Sequence, residues 1–140
     1  MVFRLATPAD ASGLKHLNDL FNGDGCNSAE AIEQSLASNT QEIVCVADMG
    51  EELAGFCCGQ LIKTMCYDSD YVELTEFFVA EEHRRFGIGR GLMEFAETEF
   101  RKRGIEDINL LTGKDNHTAQ RFYLSCGYHE VREMMFKKRL

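Results

Sequence analysis

The stretch Arg84-Arg85-Phe86-Gly87-Ile88-Gly89-Arg90 joins an apolar run, Phe77-Phe78-Val79, to a segment of helical spacing, and its reading decides the fold. Ile88, Leu92, Phe95, Ala96 and Phe100 recur at three and four residues, so Arg90–Arg103 is expected to form a helix with one apolar stripe. Arg101-Lys102-Arg103 complement the negative end of that helix, and Gly104 stops it. Upstream, Tyr71–Val79 reads as a strand, so the glycines mark a strand-to-helix junction. Unpaired N–H groups and the positive helix end converge there, and glycine lets an oxyanion approach the backbone closely. The junction suits a diphosphate, although a tight turn without a ligand has the same composition. It is not a P-loop, because Gly50 and Gly55 have that motif's gap but Phe56 follows. Nor does it fit the dinucleotide fingerprint. Leu92 stands where the third glycine belongs, and Asp107 precedes the next strand instead of ending it.

Outward from the junction, the two halves of the chain differ in pattern. Before it, Phe3-Arg4-Leu5 reads as a short strand, and Pro8 and Asp10 open a helix carrying Leu14, Leu17, Leu20 and Phe21. A turn at Asn22–Gly25 leads to a second helix from Ser28 to about Ser38. Three strands joined by tight turns follow, Glu42–Asp48, Leu53 to about Tyr67, and Tyr71–Val79; this is an antiparallel meander. After the junction come a strand at Ile105–Thr112, a helix at Asn116–Cys126 closed by Gly127, and two strand segments between Tyr128 and Lys138. A meander with appended strand–helix–strand units makes the fold class α/β (α+β), in one domain spanning residues 1–140.

Composition bounds the reading further. The 140 residues include 44% apolar and 27% charged side chains and a single proline, which is a globular composition large enough to bury a core without staples. No apolar run approaches the ~20 residues of a membrane span, and the first residues carry no leader pattern, so a cytoplasmic protein off the membrane is expected. Six cysteines lack C-x-x-C spacing; four of them sit among apolar residues, so the set reads as reduced thiols packed as small hydrophobes, with adjacent Cys57 and Cys58 on opposite strand faces. His16, His83, His117 and His129 have no ligand spacing, and no metal site is expected. Residues 1–80 hold three basic and thirteen acidic side chains; residues 81–140 hold twelve and ten. The acidic first part disfavours nucleic acid and attracts cations such as amines.

Downstream of the junction the chain reads Asn116-x-x-Ala119-x-x-Phe122-Tyr123-x-x-x-Gly127-Tyr128. With Arg84-x-x-Gly87-x-Gly89 before it, the sequence closely resembles the GNAT family of acetyl-CoA-dependent N-acetyltransferases. That family carries R/Q-x-x-G-x-G/A and then N-x-x-A-x-x-F-Y-x-x-x-G-F/Y in this order. The likeness runs through residues 71–128, and Arg4-x-Ala6-x-x-x-Asp10 matches the family's usual start. It implies a mostly antiparallel mixed sheet of about six or seven strands, splayed between strands 4 and 5, with about four helices.

The resemblance also implies roles. Backbone amides of Arg84, Arg85, Phe86, Gly87, Ile88, Gly89 and Arg90 would hold the diphosphate of acetyl-CoA, the co-substrate. The pantetheine chain would pair with the fourth strand at Phe77, Phe78 and Val79, beside a bulge, where an N–H of Phe77 or Phe78 polarises the thioester carbonyl. Asn116 would bond the pantetheine amide, and it also suits the cap of the helix it begins. Tyr123 matches the tyrosine that protonates the departing thiolate, a role suited to an un-ionised phenol; packing beside Phe122 is the alternative.

The acceptor ammonium must lose a proton, and Glu73 and Glu76 are the carboxylates in reach of the family's base positions, Glu73 being favoured. On a regular strand they face opposite sides unless a bulge reverses parity. The family's members that act on ribosomal-protein N-termini carry a Glu where this chain has Leu111. The expected reaction is direct attack by a primary amine of a cationic small molecule in a ternary complex. A protein lysine or N-terminal acceptor, or a module that binds acyl-CoA without turnover, are the alternatives. A homodimer is compatible with either, and acceptor identity is expected to lie in Asn22–Asn27 and Tyr67–Asp70.

Overall fold

The computed structural model describes residues 1–140. Its strands are β1 (Val2–Leu5), β2 (Glu42–Asp48), β3 (Leu53–Ile62), β4 (Tyr71–Val79) and β5 (Ile108–Leu110). They form one sheet in the order β1-β2-β3-β4-β5; the first four pair antiparallel and β5 runs parallel to β4. A parallel pair needs a crossover, and α3 (Ile88–Lys102) provides it. The other helices are α1 (Ala11–Asn22), α2 (Ala29–Ser38) and α4 (His117–Ser125).

The sheet separates two cores. On one face α3 and α4 cover Ile43, Cys45, Cys57, Val72 and Leu74 through Leu92, Met93, Ala96, Phe100, Phe122 and Tyr123. On the other, α1 and α2 cover Val46, Phe56, Cys58 and Phe78 through Leu14, Leu17, Ile32 and Leu36. Cys57 and Cys58 thus go to opposite faces, as strand alternation requires. Two glycines bring α3 close to the sheet. A Cβ on Gly59 of β3 would lie 2.6 Å from the Phe100 ring, and one on Gly91 of α3 would lie 2.5 Å from the Phe3 ring.

The α1/α2 layer is tied to the sheet edge by charge. Arg4 on β1 bonds both Asp10 oxygens (2.7 and 2.8 Å) and Asp48 on β2 (2.9 Å). That pairing holds the buried Asp10 carboxyl at about 2, below its usual range, with the Thr7 amide adding a further hydrogen bond.

The strand count differs from expectation: there are five, not six or seven. Tyr128–Lys138 forms no strand, and Val131, Met134, Met135 and Phe136 are exposed. Three of these four are consecutive, so they do not define the alternating face that a half-buried strand needs. β3 ends at Ile62, ahead of the polar Lys63-Thr64, and β5 is three residues long.

Candidate active site

The junction after β4 is a fan of unused backbone donors. A 3-10 turn at Glu81–His83 leads into it, and Gly91 makes the first bond of α3, to the Gly87 carbonyl at 3.0 Å. Between them, no backbone N–H from Arg85 to Arg90 donates to a protein acceptor. Arg85 (φ 69°) and Gly87 (φ 77°) are left-handed, and alternation of this kind curls successive amides towards one side. Arg85 holds that conformation at a cost of about 1–2 kcal/mol, because it has a Cβ. Arg84 stands apart from the fan. Its amide donates to the Glu81 carbonyl (3.2 Å), its Nε donates to the Val79 carbonyl (2.8 Å), and its guanidinium covers the Phe78 ring. Arg84 therefore braces the corner. Arg90 also reaches away, its guanidinium donating to the Ser125 carbonyl (3.1 Å) at the end of α4.

Beside the fan, the sheet opens. β4 and β5 pair only at Val72↔Ile108, Glu73↔Asn109 and Leu74↔Leu110, and β4 then continues to Val79 without a neighbour on that side. The register with β3 shifts at the same point. Cys58 faces Glu76 and Gly59 faces Leu74, leaving Thr75 as an extra residue, a bulge. The Ala80 N–H donates to the Ala54 carbonyl at 2.9 Å, and antiparallel alternation from there turns the Phe78 amide towards β3. The amides of Phe77 and Val79 consequently face the split. Of the two candidates for polarising a carbonyl, only Phe77 presents its N–H there.

Aromatic rings and α4 form the wall of the split. Phe77 packs on Phe122 (ring centroids 5.2 Å apart) and on Tyr123 (6.4 Å). Gly89 is open towards this wall, where a Cβ would lie 3.4 Å from Phe122 and 3.8 Å from Phe77. The Tyr123 hydroxyl bonds no protein group, whereas that of Tyr128 is engaged with Glu97 Oε1 (3.2 Å) and Met93 Sδ (3.4 Å). Burial pushes the Tyr123 phenol up to about 12, so it keeps its proton at neutral pH. Asn116 caps α4, its Oδ1 accepting from the Ala119 N–H at 3.1 Å, and its side-chain NH2 remains free.

The bulge decides where the carboxylates go. Glu73 pairs with Gln60 and Glu76 with Cys58, residues two apart on β3, so both glutamates lie on the α1/α2 face. Parity is reversed, and the two candidates share a side. Neither carboxylate has a hydrogen-bond or ion partner in the protein, and Glu76 lies beyond the last β4–β5 pair. Glu76 also lines a cavity of about 190 Å³ between the helices and the sheet, with Asn18, Asn27, Glu42 and Cys58. A larger cavity, about 350 Å³, shares Glu42 but touches no β4 residue. Asn27 belongs to the loop Asn22–Asn27 expected to set the acceptor, whereas Tyr67–Asp70 lines neither cavity; Asn18 and Glu42 lie outside both stretches, and only the strand register and helix placement bring them to Glu76. No group of His, Cys, Asp or Glu side chains is arranged to hold a metal ion, and no helix is long and apolar enough to cross a membrane.

Known proteins share this architecture. An uncharacterized N-acetyltransferase of Chlorobaculum tepidum is 27% identical over 137 residues, covering 98% of this chain and 81% of the relative. An aminoglycoside acetyltransferase from an uncultured soil metagenomic sample, solved with sisomicin, superposes with a TM-score of 0.86 at 17% identity, over 99% of this chain and 95% of its own. A ribosomal-protein-alanine N-acetyltransferase from Brucella melitensis biovar Abortus gives 0.84 at 14% identity over the whole of both chains. At such identities the structural likeness is one of fold. Residues 14–128, holding the split, the amide fan and both cores, match the acetyltransferase (GNAT) family, and the chain belongs to that family.

Proposed function

We propose that the protein transfers an acetyl group from acetyl-CoA to a primary amine of a cationic small molecule. The observation that carries this reading is the fan of six unused amides, Arg85 to Arg90, beside a split whose inner edge presents the amides of Phe77 and Val79. An open row of donors at a helix N-terminus fits a diphosphate, and a free strand edge fits an extended amide chain. Bound there, acetyl-CoA would supply an activated acyl thioester. In the reaction an N–C bond forms and a C–S bond breaks; the nitrogen gives up two protons, one before attack and one after it, of which one ends on sulfur and one in solution.

This chain's groups divide that work. Glu73 or Glu76 accepts the proton of the incoming ammonium, directly or through a water. The Phe77 N–H stabilises negative charge developing on the carbonyl oxygen. The Tyr123 hydroxyl donates a hydrogen bond where the sulfur departs. With its pKa at about 12, the phenol holds its proton more firmly than a free thiol at ~8.5. The hydroxyl therefore stabilises the nascent thiolate by hydrogen bonding, and the proton that ends on sulfur is one of the two released by the amine. The Asn116 side-chain NH2 bonds the pantetheine amide.

The acceptor class follows from charge. Glu42 and Glu76 line the smaller cavity, and the first 80 residues hold thirteen acidic side chains against three basic ones. Similarity to an aminoglycoside acetyltransferase supports the same class, and Leu111 argues against a ribosomal-protein N-terminus. The test is release of free thiol from acetyl-CoA against a panel of aminoglycosides, polyamines, basic amino-acid derivatives and lysine peptides. Turnover with the small cations is expected. Tight CoA binding without release across the panel would make the protein a non-catalytic acyl-CoA binder, and turnover with peptides alone would move the acceptor class to proteins.

A further inference from the structure

We propose that Thr75 is a positioning residue for deprotonation of the acceptor amine, an assignment that rests on the acetyltransferase reading above. Thr75 is the extra residue of the β4 bulge, and its hydroxyl donates to the Cys58 carbonyl at 3.3 Å. This is the one hydrogen bond made by any β4 side chain. The bulge needs such a tie because of where it sits. β5 pairing ends at Leu74, so from Thr75 onwards β4 is held from one side only, by β3. A strand held on one edge with an unpaired residue is free to slip its register, and a slip by one residue exchanges its two faces.

The placement of Glu76 and of the Phe77 amide depends on that register. With the bulge in place, Glu76 joins Glu73 on the α1/α2 face and reaches the cavity, while the Phe77 amide turns into the split. With alternation restored, Glu76 would leave the face that Glu73 occupies. A base on one side and an oxyanion donor on the other, one residue apart, are thus set by a single local irregularity. The Thr75 hydroxyl fixes that irregularity by tying it to the Cys58 carbonyl of β3, while the amide fan of Arg85–Arg90 lies outside the bulge.

The test compares Thr75→Val, which keeps the branched shape and strand preference but lacks the hydroxyl, with Thr75→Ser, which restores it. In steady-state assays, Thr75→Val is expected to lower kcat about tenfold, the worth of one hydrogen bond, with the KM for acetyl-CoA within twofold. Thr75→Ser should return kcat to within twofold of the unaltered protein. Separately, amide hydrogen exchange followed by NMR without any substrate should be about tenfold faster at Glu76 and Phe78, whose N–H groups the register turns to β3, in Thr75→Val and normal in Thr75→Ser. A Thr75→Val protein equal to the unaltered one in kcat and exchange overturns the assignment, and so does a Thr75→Ser protein no better than Thr75→Val. If the unaltered protein turns over no amine, the acetyltransferase reading fails by itself. Exchange that still accelerates and is rescued would then support the register lock, and unchanged exchange would overturn it.

Discussion

The two sides of the sheet solve different problems with different materials. On the α3/α4 side, the features suited to the acyl donor are mostly main-chain atoms, the amides of Arg85–Arg90 and those of Phe77 and Val79, joined by the Asn116 and Tyr123 side chains of α4. On the α1/α2 side, the features suited to the acceptor are side chains: Glu73, Glu76, Glu42, Asn18 and Asn27. A site made of backbone constrains sequence through glycine and turn geometry, so it is written as a motif. A site made of side chains from two strands, a helix and a loop can change one residue at a time. It leaves no fixed spacing to read.

That contrast can be broken most sharply at Gly89. Gly89→Val introduces a branched side chain against Phe122 and Phe77, in the wall beside the amide fan. CoA affinity should fall by about a hundredfold or more in calorimetry, with the circular dichroism spectrum unchanged. Retained affinity would show that the fan is not the donor site. Next in size is Tyr123→Phe, which removes a hydroxyl that bonds nothing in the protein. kcat should drop about thirtyfold to a hundredfold and the KM for acetyl-CoA should stay within twofold. With the phenol at about 12, rates should also show no loss from its ionisation up to about pH 11. Equal kcat in the two proteins would make Tyr123 a packing residue.

On the acceptor side, Glu73→Gln and Glu76→Gln separate two carboxylates that share a face. The one that takes the proton should lose about tenfold to thirtyfold in kcat, and the other should change mainly the KM for the amine. Unchanged kinetics in both would remove the base from β4. The smallest effect concerns stability. Asp10 sits at about 2 when folded, against an ordinary 3.8, chiefly through its hydrogen bond to Arg4. A depressed carboxyl contributes stability above its unfolded pKa and loses it as pH falls through the folded value, here between about pH 4 and 2. Asp10→Asn should flatten the fall in stability across that window by on the order of 1 kcal/mol, read from urea midpoints at each pH. A fall as steep as in the unaltered protein would place the acid sensitivity elsewhere.

The same contrast explains what could be read before any coordinates. Glu42–Asp48 and Tyr71–Val79 appear as the strands their alternation and turn signals indicate, and Ser28, Asn116 and Gly87 stand at helix entries. These features are local, and local physics determines them. The bulge at Thr75 is not local. It depends on which β3 residue faces which β4 residue, so strand parity alone left Glu73 and Glu76 on opposite faces. The convergence of Glu42, Asn18 and Asn27 on Glu76 likewise needs the register of three strands and the placement of two helices. The terminal segment after Tyr128 failed for the opposite reason. Val131 and Phe136 favour a strand, but the Glu, Lys and Arg around them do not, and the apolar residues fail to alternate.

Gly59 and Gly91 carry an implication for engineering. Phe100 is seated on bare backbone near one end of α3 and Phe3 near the other, so the helix is pegged to the sheet at two points. A rod fixed twice cannot pivot, and its tip stays aligned with the gap in the sheet whatever happens on the opposite layer. The two helices over the acidic cavity could therefore be redesigned without turning the axis of α3, so long as Phe78, which stacks on Phe21 of α1, keeps its cover.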